Sequence, residues 1–262
     1  MPRFAANLTM MFNERPFLER FAAAAQAGFK GVEYLFPYEH DKSALKQALA
    51  DNGLTQVLHN LPAGNWQTGE RGIACHPDRV KEFNEGVDRA IDYATALGCS
   101  QLNCLAGMPP AGADPADVRA TFVGNLQRAA SKLKAAGIRL LIEPINTRDM
   151  PGYFLNTQAE AHAIREEIGS ANLKVQMDLY HAQIVEGDLE TKLRRYLPHV
   201  GHIQIAGVPD RHEPDIGEVN YPYLFRLLDK LGYPGWIGCE YRPANGTAAG
   251  LGWMAPYLNA PQ

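Results

Sequence analysis

Eight short apolar runs recur along the chain, each followed by a longer segment with helical spacing. The runs are RFAAN (3–7), GVEYL (31–35), TQVLH (55–59), QLNCLA (101–106), RLLIEPI (139–145), KVQMDL (174–179), GHIQIA (201–206) and WIGCEY (236–241). Between them, PFLERFAAAAQAG (16–28) puts Phe17, Phe21, Ala24 and Ala25 on one face, and Arg79 to Leu97 does the same with Phe83, Val87, Ile91 and Ala94. Gly28, Gly53, Gly98, Gly137, Gly169 and Gly232 each close a helical pattern, where a left-handed residue is favoured. Asp114-Pro115 and Asn220 read as helix starts, and Thr157-Gln-Ala-Glu160 as a capping box. Strand–helix alternation eight times over predicts an α/β chain forming one (β/α)8 TIM barrel across residues 1–262. A doubly wound open sheet is the rival, weakened by the missing Gly-x-Gly-x-x-Gly after the first strand.

The 262 residues are a normal length for such a barrel, and 46% hydrophobic with 21% charged content suits a globular chain that buries a large core. A net charge of -4 without dense basic clusters disfavours nucleic acid. MPRFAANLTMMF is not a signal-peptide pattern, and no continuous apolar stretch reaches membrane-spanning length. Cys75, Cys99, Cys104 and Cys239 form no CxxC pair, so reduced thiols in a cytoplasmic protein are expected. Residues 60–78 are the longest irregular insert, and a long loop in that place usually serves a site.

In a parallel barrel the carboxyl ends of all strands share one face, where active sites sit. At or near those ends lie Asn7, Glu33, His59, Asn103, Glu143, Asp178, Gln204 and Glu240. The last four fall on consecutive strands five to eight, and adjacent strands lie about 4.8 Å apart, so their side chains can converge. Three carboxylates this close repel unless a cation separates them. Three carboxylates and an amide oxygen are a hard, oxygen-only set that suits Mg²⁺ or Mn²⁺. The competing reading, pairing with Arg or Lys, finds no basic partner beside them within these strands.

LIEPIN (141–146), VQMDLYHAQ (175–183), GHIQIA (201–206), RHEPDIGEVNY (211–221), GWIGCEY (235–241) and NLPAGNWQTGERGIA (60–74) resemble the hydroxypyruvate isomerase family, within the xylose-isomerase-like barrels. The resemblance covers nearly the whole chain. It implies four metal ligands, Glu143, Asp178, Gln204 and Glu240, with Glu143 and Glu240 also the acid–base pair. Gln204 stands where many ketose 3-epimerases have histidine. The segments MPRFAANLTMMF and PDRHEPDIGEVNYPYLFRLLDKLGY look like the 2-oxo-tetronate isomerase branch, whereas 60–74, 102–107 and 140–152 favour the hydroxypyruvate branch. The first expectation is therefore a hydroxypyruvate isomerase, with 2-oxo-tetronate isomerase or a ketose 3-epimerase as the alternative.

Such a reaction moves one proton between neighbouring carbons and another between their oxygens through an enediolate. Two carboxylates can carry out the transfers, and a divalent ion can polarise and orient the oxygens. Substrate-binding candidates are His181, which donates to substrate or braces Asp178; Arg211 and Arg71, which can fork onto a carboxylate; and His59 at the rim. Glu33 is expected to be structural, with orienting a neighbouring group as the alternative, and Trp66 to cap the pocket or pack within its loop. The partner is a small hydroxy-oxo acid, with self-association into a homo-oligomer left open. Two other classes are weighed: a metal-dependent endonuclease on the same fold, opposed by the negative charge, and a sugar-binding barrel without catalysis, which would not need two facing glutamates.

Overall fold

The computed structural model describes residues 2–258; Met1 and residues 259–262 of the expected 1–262 unit lie outside them. Eight parallel strands close into a barrel in chain order. They are β1 (Arg3–Asn7), β2 (Gly31–Glu33), β3 (Thr55–Asn60), β4 (Gln101–Cys104), β5 (Arg139–Ile142), β6 (Leu173–Asp178), β7 (Val200–Ile205) and β8 (Trp236–Cys239). The connecting helices are α1 (Glu19–Gln26), α2 (Lys42–Asp51), α3 (Val80–Leu97), α4 (Pro115–Ala135), α5 (Gln158–Ile168), α6 (Leu179–Val185), α7 (Leu189–Tyr196) and α8 (Tyr221–Lys230), with α9 (Ala255–Leu258) closing the described chain. The expected fold is therefore the observed one, and β6 is followed by two helices rather than one. Among the described residues, no helix is long and apolar enough to cross a membrane.

Local sequence explains the boundaries. Asp114 and Asn220 cap α4 and α8 with their side chains, and Thr157 and Glu160 cap α5 reciprocally. All six helix-closing glycines have positive φ. Several strands are shorter than their apolar runs. β5 stops at Ile142, so Glu143 leaves the ladder before Pro144, which has no N–H to offer. β8 stops at Cys239, and Glu240 donates one last backbone bond to Ile205 O at 3.1 Å. Both glutamates therefore stand just past the last paired residue, at the rim.

Strand residues facing outward pack on helices. Phe83, Val87, Ala90 and Ala94 of α3 join Leu102 and Cys104, and Leu224, Phe225 and Leu228 of α8 join Phe4 and Ile237. Inside the barrel, Ala5, Val57, Leu58 and Leu141 form a small apolar plug beside Trp236. Above this plug the interior turns polar. Glu33, Gln176, His202 and Gln204 are buried there, and Gly238 carries no side chain where a Cβ would overlap the Glu33 carboxylate. The four cysteines are free and buried, and burial raises each thiol, Cys75 and Cys99 to about 12.

Candidate active site

Glu143, Asp178, His181 and Glu240 each offer a ligand atom within 4.8 Å of the others, and all four are buried. Asp178 ends β6 and also caps α6, its Oδ1 accepting from Tyr180 N–H at 2.8 Å. Its Oδ2 is buried with no hydrogen-bond donor among the described residues. A buried carboxylate oxygen without a donor is costly, and a divalent cation would satisfy it. Gln204 lies beside Asp178 in the β6–β7 register. It donates to Glu33 Oε1 at 2.7 Å and accepts from Gln176 Nε2 at 2.6 Å. The three expected carboxylates are thus brought together with His181, while Gln204 lines the same cavity with its Oε1 engaged by Gln176.

His181 approaches Asp178 Oδ2 with Nε2 at 3.5 Å. Its Nδ1 lies 2.6 Å from Asn146 Nδ2, whose amide is oriented by Asp149 N–H donating to Asn146 Oδ1. An amide nitrogen can only donate, so Nδ1 accepts and Nε2 carries the proton. Burial, and next the nearby Arg211, hold the imidazole well below its ordinary value, so it is neutral. His181 therefore presents an N–H toward Asp178 and the cavity.

Arg211 alters the expected charge balance. The loop after β7 holds it at φ 60 and brings its guanidinium into the cluster. Nη2 lies 2.6 Å from Glu240 Oε2 and 3.7 Å from Asp178 Oδ2, while Nη1 reaches Asp149 at 3.3 Å. The carboxylates therefore do have a basic partner, from a loop rather than a strand. One guanidinium does not neutralise three acids. Burial is the largest influence on Glu240 and pushes it to about 8 against the pull of Arg211. Burial also raises Glu143 well above the usual range, reinforced by Glu240 and Asp178, and lifts Asp178 to about 6.

A cavity of about 240 Å³ opens onto this cluster, lined by Glu143, His181, Gln204, Arg211, Glu240 and Arg71, among others. Arg71 lies 4.2 Å from the Trp66 ring centroid, and its Nη1 donates to Trp66 O and Glu70 O. Trp66 packs against Phe36 at 5.2 Å and, with Leu35, lines both this cavity and an outer pocket of about 620 Å³. His59 is not brought to the cavity. Leu58 and Asn60 line it, whereas His59 contacts Tyr38 behind the strand, and burial lowers it to about 4.

Comparison with known proteins places this geometry. Residues 21–257 match the model of the xylose isomerase-like TIM barrel family. The chain is 60% identical over 258 residues to 2-oxo-tetronate isomerase from Cupriavidus necator, covering 98% of this chain and 99% of that one. It is 51% identical over 257 residues to hydroxypyruvate isomerase from Escherichia coli, covering 98% and 100%.

The chain belongs to the hydroxypyruvate isomerase and 2-oxo-tetronate isomerase family.

Among solved structures, a crystal structure of AP endonuclease, family 2, from Brucella melitensis superposes on this isomerase-family chain with a TM-score of 0.96. The two are 52% identical, over 98% and 99% of the chains. The divalent-metal reading of this isomerase-family site rests on the buried acidic cluster and the free Asp178 oxygen. Sequence reading missed Gln176, His202 and Asn146. The first two sit two residues before Asp178 and Gln204, so the strand period placed them on the same inner face. Asn146 gave no such signal, because it acts from a loop.

Proposed function

We propose that this protein is an isomerase that moves an oxo group between C2 and C3 of a small hydroxy-oxo acid, with 2-oxo-tetronate as its substrate. The observation that carries the reaction type is the pair Glu143 and Glu240. They are 4% and 5% exposed, reach the same cavity from the ends of β5 and β8, and are both raised by burial, Glu143 well above the usual carboxylate range and Glu240 to about 8. A carboxyl group that exchanges its proton near neutrality suits general acid–base catalysis. One glutamate removes the proton from C3 of the substrate, and the other delivers a proton to C2, while the hydroxyl proton passes from O3 to O2. When bound by Glu143, Asp178, Gln204 and Glu240, a Mg²⁺ or Mn²⁺ ion supplies Lewis-acid polarisation of the two substrate oxygens. Arg211 holds Glu240 in place and adds positive charge where an enediolate develops. His181 offers its Nε2 proton to a substrate oxygen. Arg71 is the better candidate for the substrate carboxylate, because the Arg211 guanidinium is already engaged by Glu240 and Asp149.

The choice of 2-oxo-tetronate over hydroxypyruvate follows the 60% against 51% identity. It reverses the first expectation from the sequence motifs. The 51% match to the Escherichia coli enzyme keeps hydroxypyruvate as the second reading. The name carried by the Brucella structure suggests nucleic acid. The buried carboxylates and the net charge of -4 oppose that reading, since duplex binding relies on neutralising phosphates with Lys and Arg.

The test is an NMR turnover assay of the purified protein in Mn²⁺ with both acids side by side. Faster conversion of 2-oxo-tetronate is expected, and faster conversion of hydroxypyruvate would overturn the substrate assignment. In the same assay Glu240→Gln should lose about a thousandfold in kcat, the middle of the range that positioned acid–base groups contribute.

A further inference from the structure

Six consecutive strands around the closed barrel, β4 through β8 and then β1, carry Asn103, Glu143, Asp178, Gln204, Glu240 and Asn7 at their carboxyl ends. Asparagine therefore flanks the acidic arc on both sides, each next to one of the two glutamates. Asn103 Nδ2 donates to Glu143 Oε2 at 2.8 Å. Asn7 Nδ2 donates to Glu240 Oε1 at 3.1 Å. Both amides are buried. The Asn7 amide is itself fixed from two sides, since Nδ2 also reaches Glu33 Oε1 at 3.0 Å and Oδ1 accepts from Thr9 N–H at 3.1 Å.

A glutamate has three rotatable side-chain bonds, and proton transfer requires one carboxylate oxygen to aim at one carbon. A donor fixed on one carboxylate oxygen sets the direction of the other. Glu240 already has Arg211 Nη2 on Oε2 at 2.6 Å, so Asn7 fixes Oε1 without bringing a second positive charge, and Glu143 takes its donor from Asn103. A carboxamide orients the carboxylate while leaving its charge in place. Resting on the acid–base reading above, we propose that Asn7 and Asn103 are paired positioning residues. Each holds one glutamate in its transfer orientation, Asn7 for Glu240 and Asn103 for Glu143.

The test uses the full chain with Asn7→Ala, Asn103→Ala and the isosteric Asn→Asp forms, which keep the shape but replace a donor with an acceptor. Each change should lower kcat about 10- to 100-fold with KM moving less than about threefold, the signature of lost orientation rather than lost binding. A second readout is deuterium partition in heavy water. Weakening the glutamate that protonates product raises the deuterium returned to substrate relative to that in product; weakening the other lowers it. The two Asn→Ala variants should therefore move this ratio in opposite directions. A third readout needs no turnover: the Nδ2 proton resonances of Asn7 and Asn103 should shift on Glu240→Gln and Glu143→Gln respectively. Wild-type turnover in either Asn→Asp variant, partition ratios that stay put or move together, or amide resonances indifferent to their glutamate would each overturn the proposal. If the wild type converts neither acid, the acid–base reading falls, while the amide resonances still report on the two contacts.

Discussion

Burying three carboxylates around one point makes the stability of this protein depend on pH in an unusual direction, and a metal ion should reverse it. Glu240 is raised from an ordinary value of 4.5 to about 8, chiefly by burial. Below 4.5 both folded and unfolded chains hold its proton, and it contributes nothing to the pH dependence. Between 4.5 and about 8 the unfolded chain has released a proton that the folded chain still holds, so stability falls as pH rises. At about 1.4 kcal/mol per unit, the interval from pH 5.5 to 8 removes about 3 kcal/mol through Glu240 alone. Glu143 and Asp178 act in the same direction. In a chain of this length that is a drop of about 10 °C in Tm. Saturation with Mn²⁺ at about a hundred times its Kd restores about 2.7 kcal/mol at pH 8. The assay is thermal unfolding in EDTA across this pH range, repeated with Mn²⁺ and with Glu240→Gln. The variant should lose the Glu240 share of the slope, about 3 kcal/mol across the interval, and keep that of Glu143 and Asp178. An identical slope in the variant, or no Mn²⁺ effect at pH 8, would refute the electrostatic account of the site.

Other expectations follow from single contacts. Arg211→Ala leaves Glu240 buried without its ion-pair partner, so stability should fall by about 3 kcal/mol in chemical denaturation and kcat with it. Gly238→Ala drives a Cβ into the Glu33 carboxylate and should cost about 1–3 kcal/mol, read as a lower denaturation midpoint at unchanged m-value. Trp66→Ala joins the reaction cavity to the outer pocket, and KM should rise about tenfold while the Mn²⁺ affinity measured by calorimetry stays put. The four buried thiols should react with Ellman's reagent only as fast as the chain unfolds.

The barrel was legible because each strand run and each helix stripe has its own period, and because helix ends carry caps such as Thr157–Glu160. The acidic arc was legible because parallel strands put Glu143, Asp178, Gln204 and Glu240 on one rim whatever the loops do. Arg211 as a partner to Glu240 was hidden, since its reach depends on a left-handed loop conformation that residue type alone does not announce. The misplacement of His59 has a simpler cause. The β2–β3 register shifts at Val57, so Val57 and Leu58 both join the inner plug, and beyond it alternation gives the cavity positions to Leu58 and Asn60. One residue of parity separates a rim histidine from one locked behind the wall against Tyr38.

The acidic arc and its two asparagines occupy β4 to β8 and β1, while β2 supports them through Glu33, which accepts from Asn7 and Gln204, and β3 lends Leu58 and Asn60 to the cavity wall. The long segment after β3, from Leu61 to Arg79, contributes Trp66 and Arg71 to the cavity wall but no member of the acidic cluster. The acidic cluster and this part of the cavity wall are thus carried by different stretches of polypeptide. Grafting that one segment between family members should therefore alter the cavity wall while the acidic cluster stays as it stands.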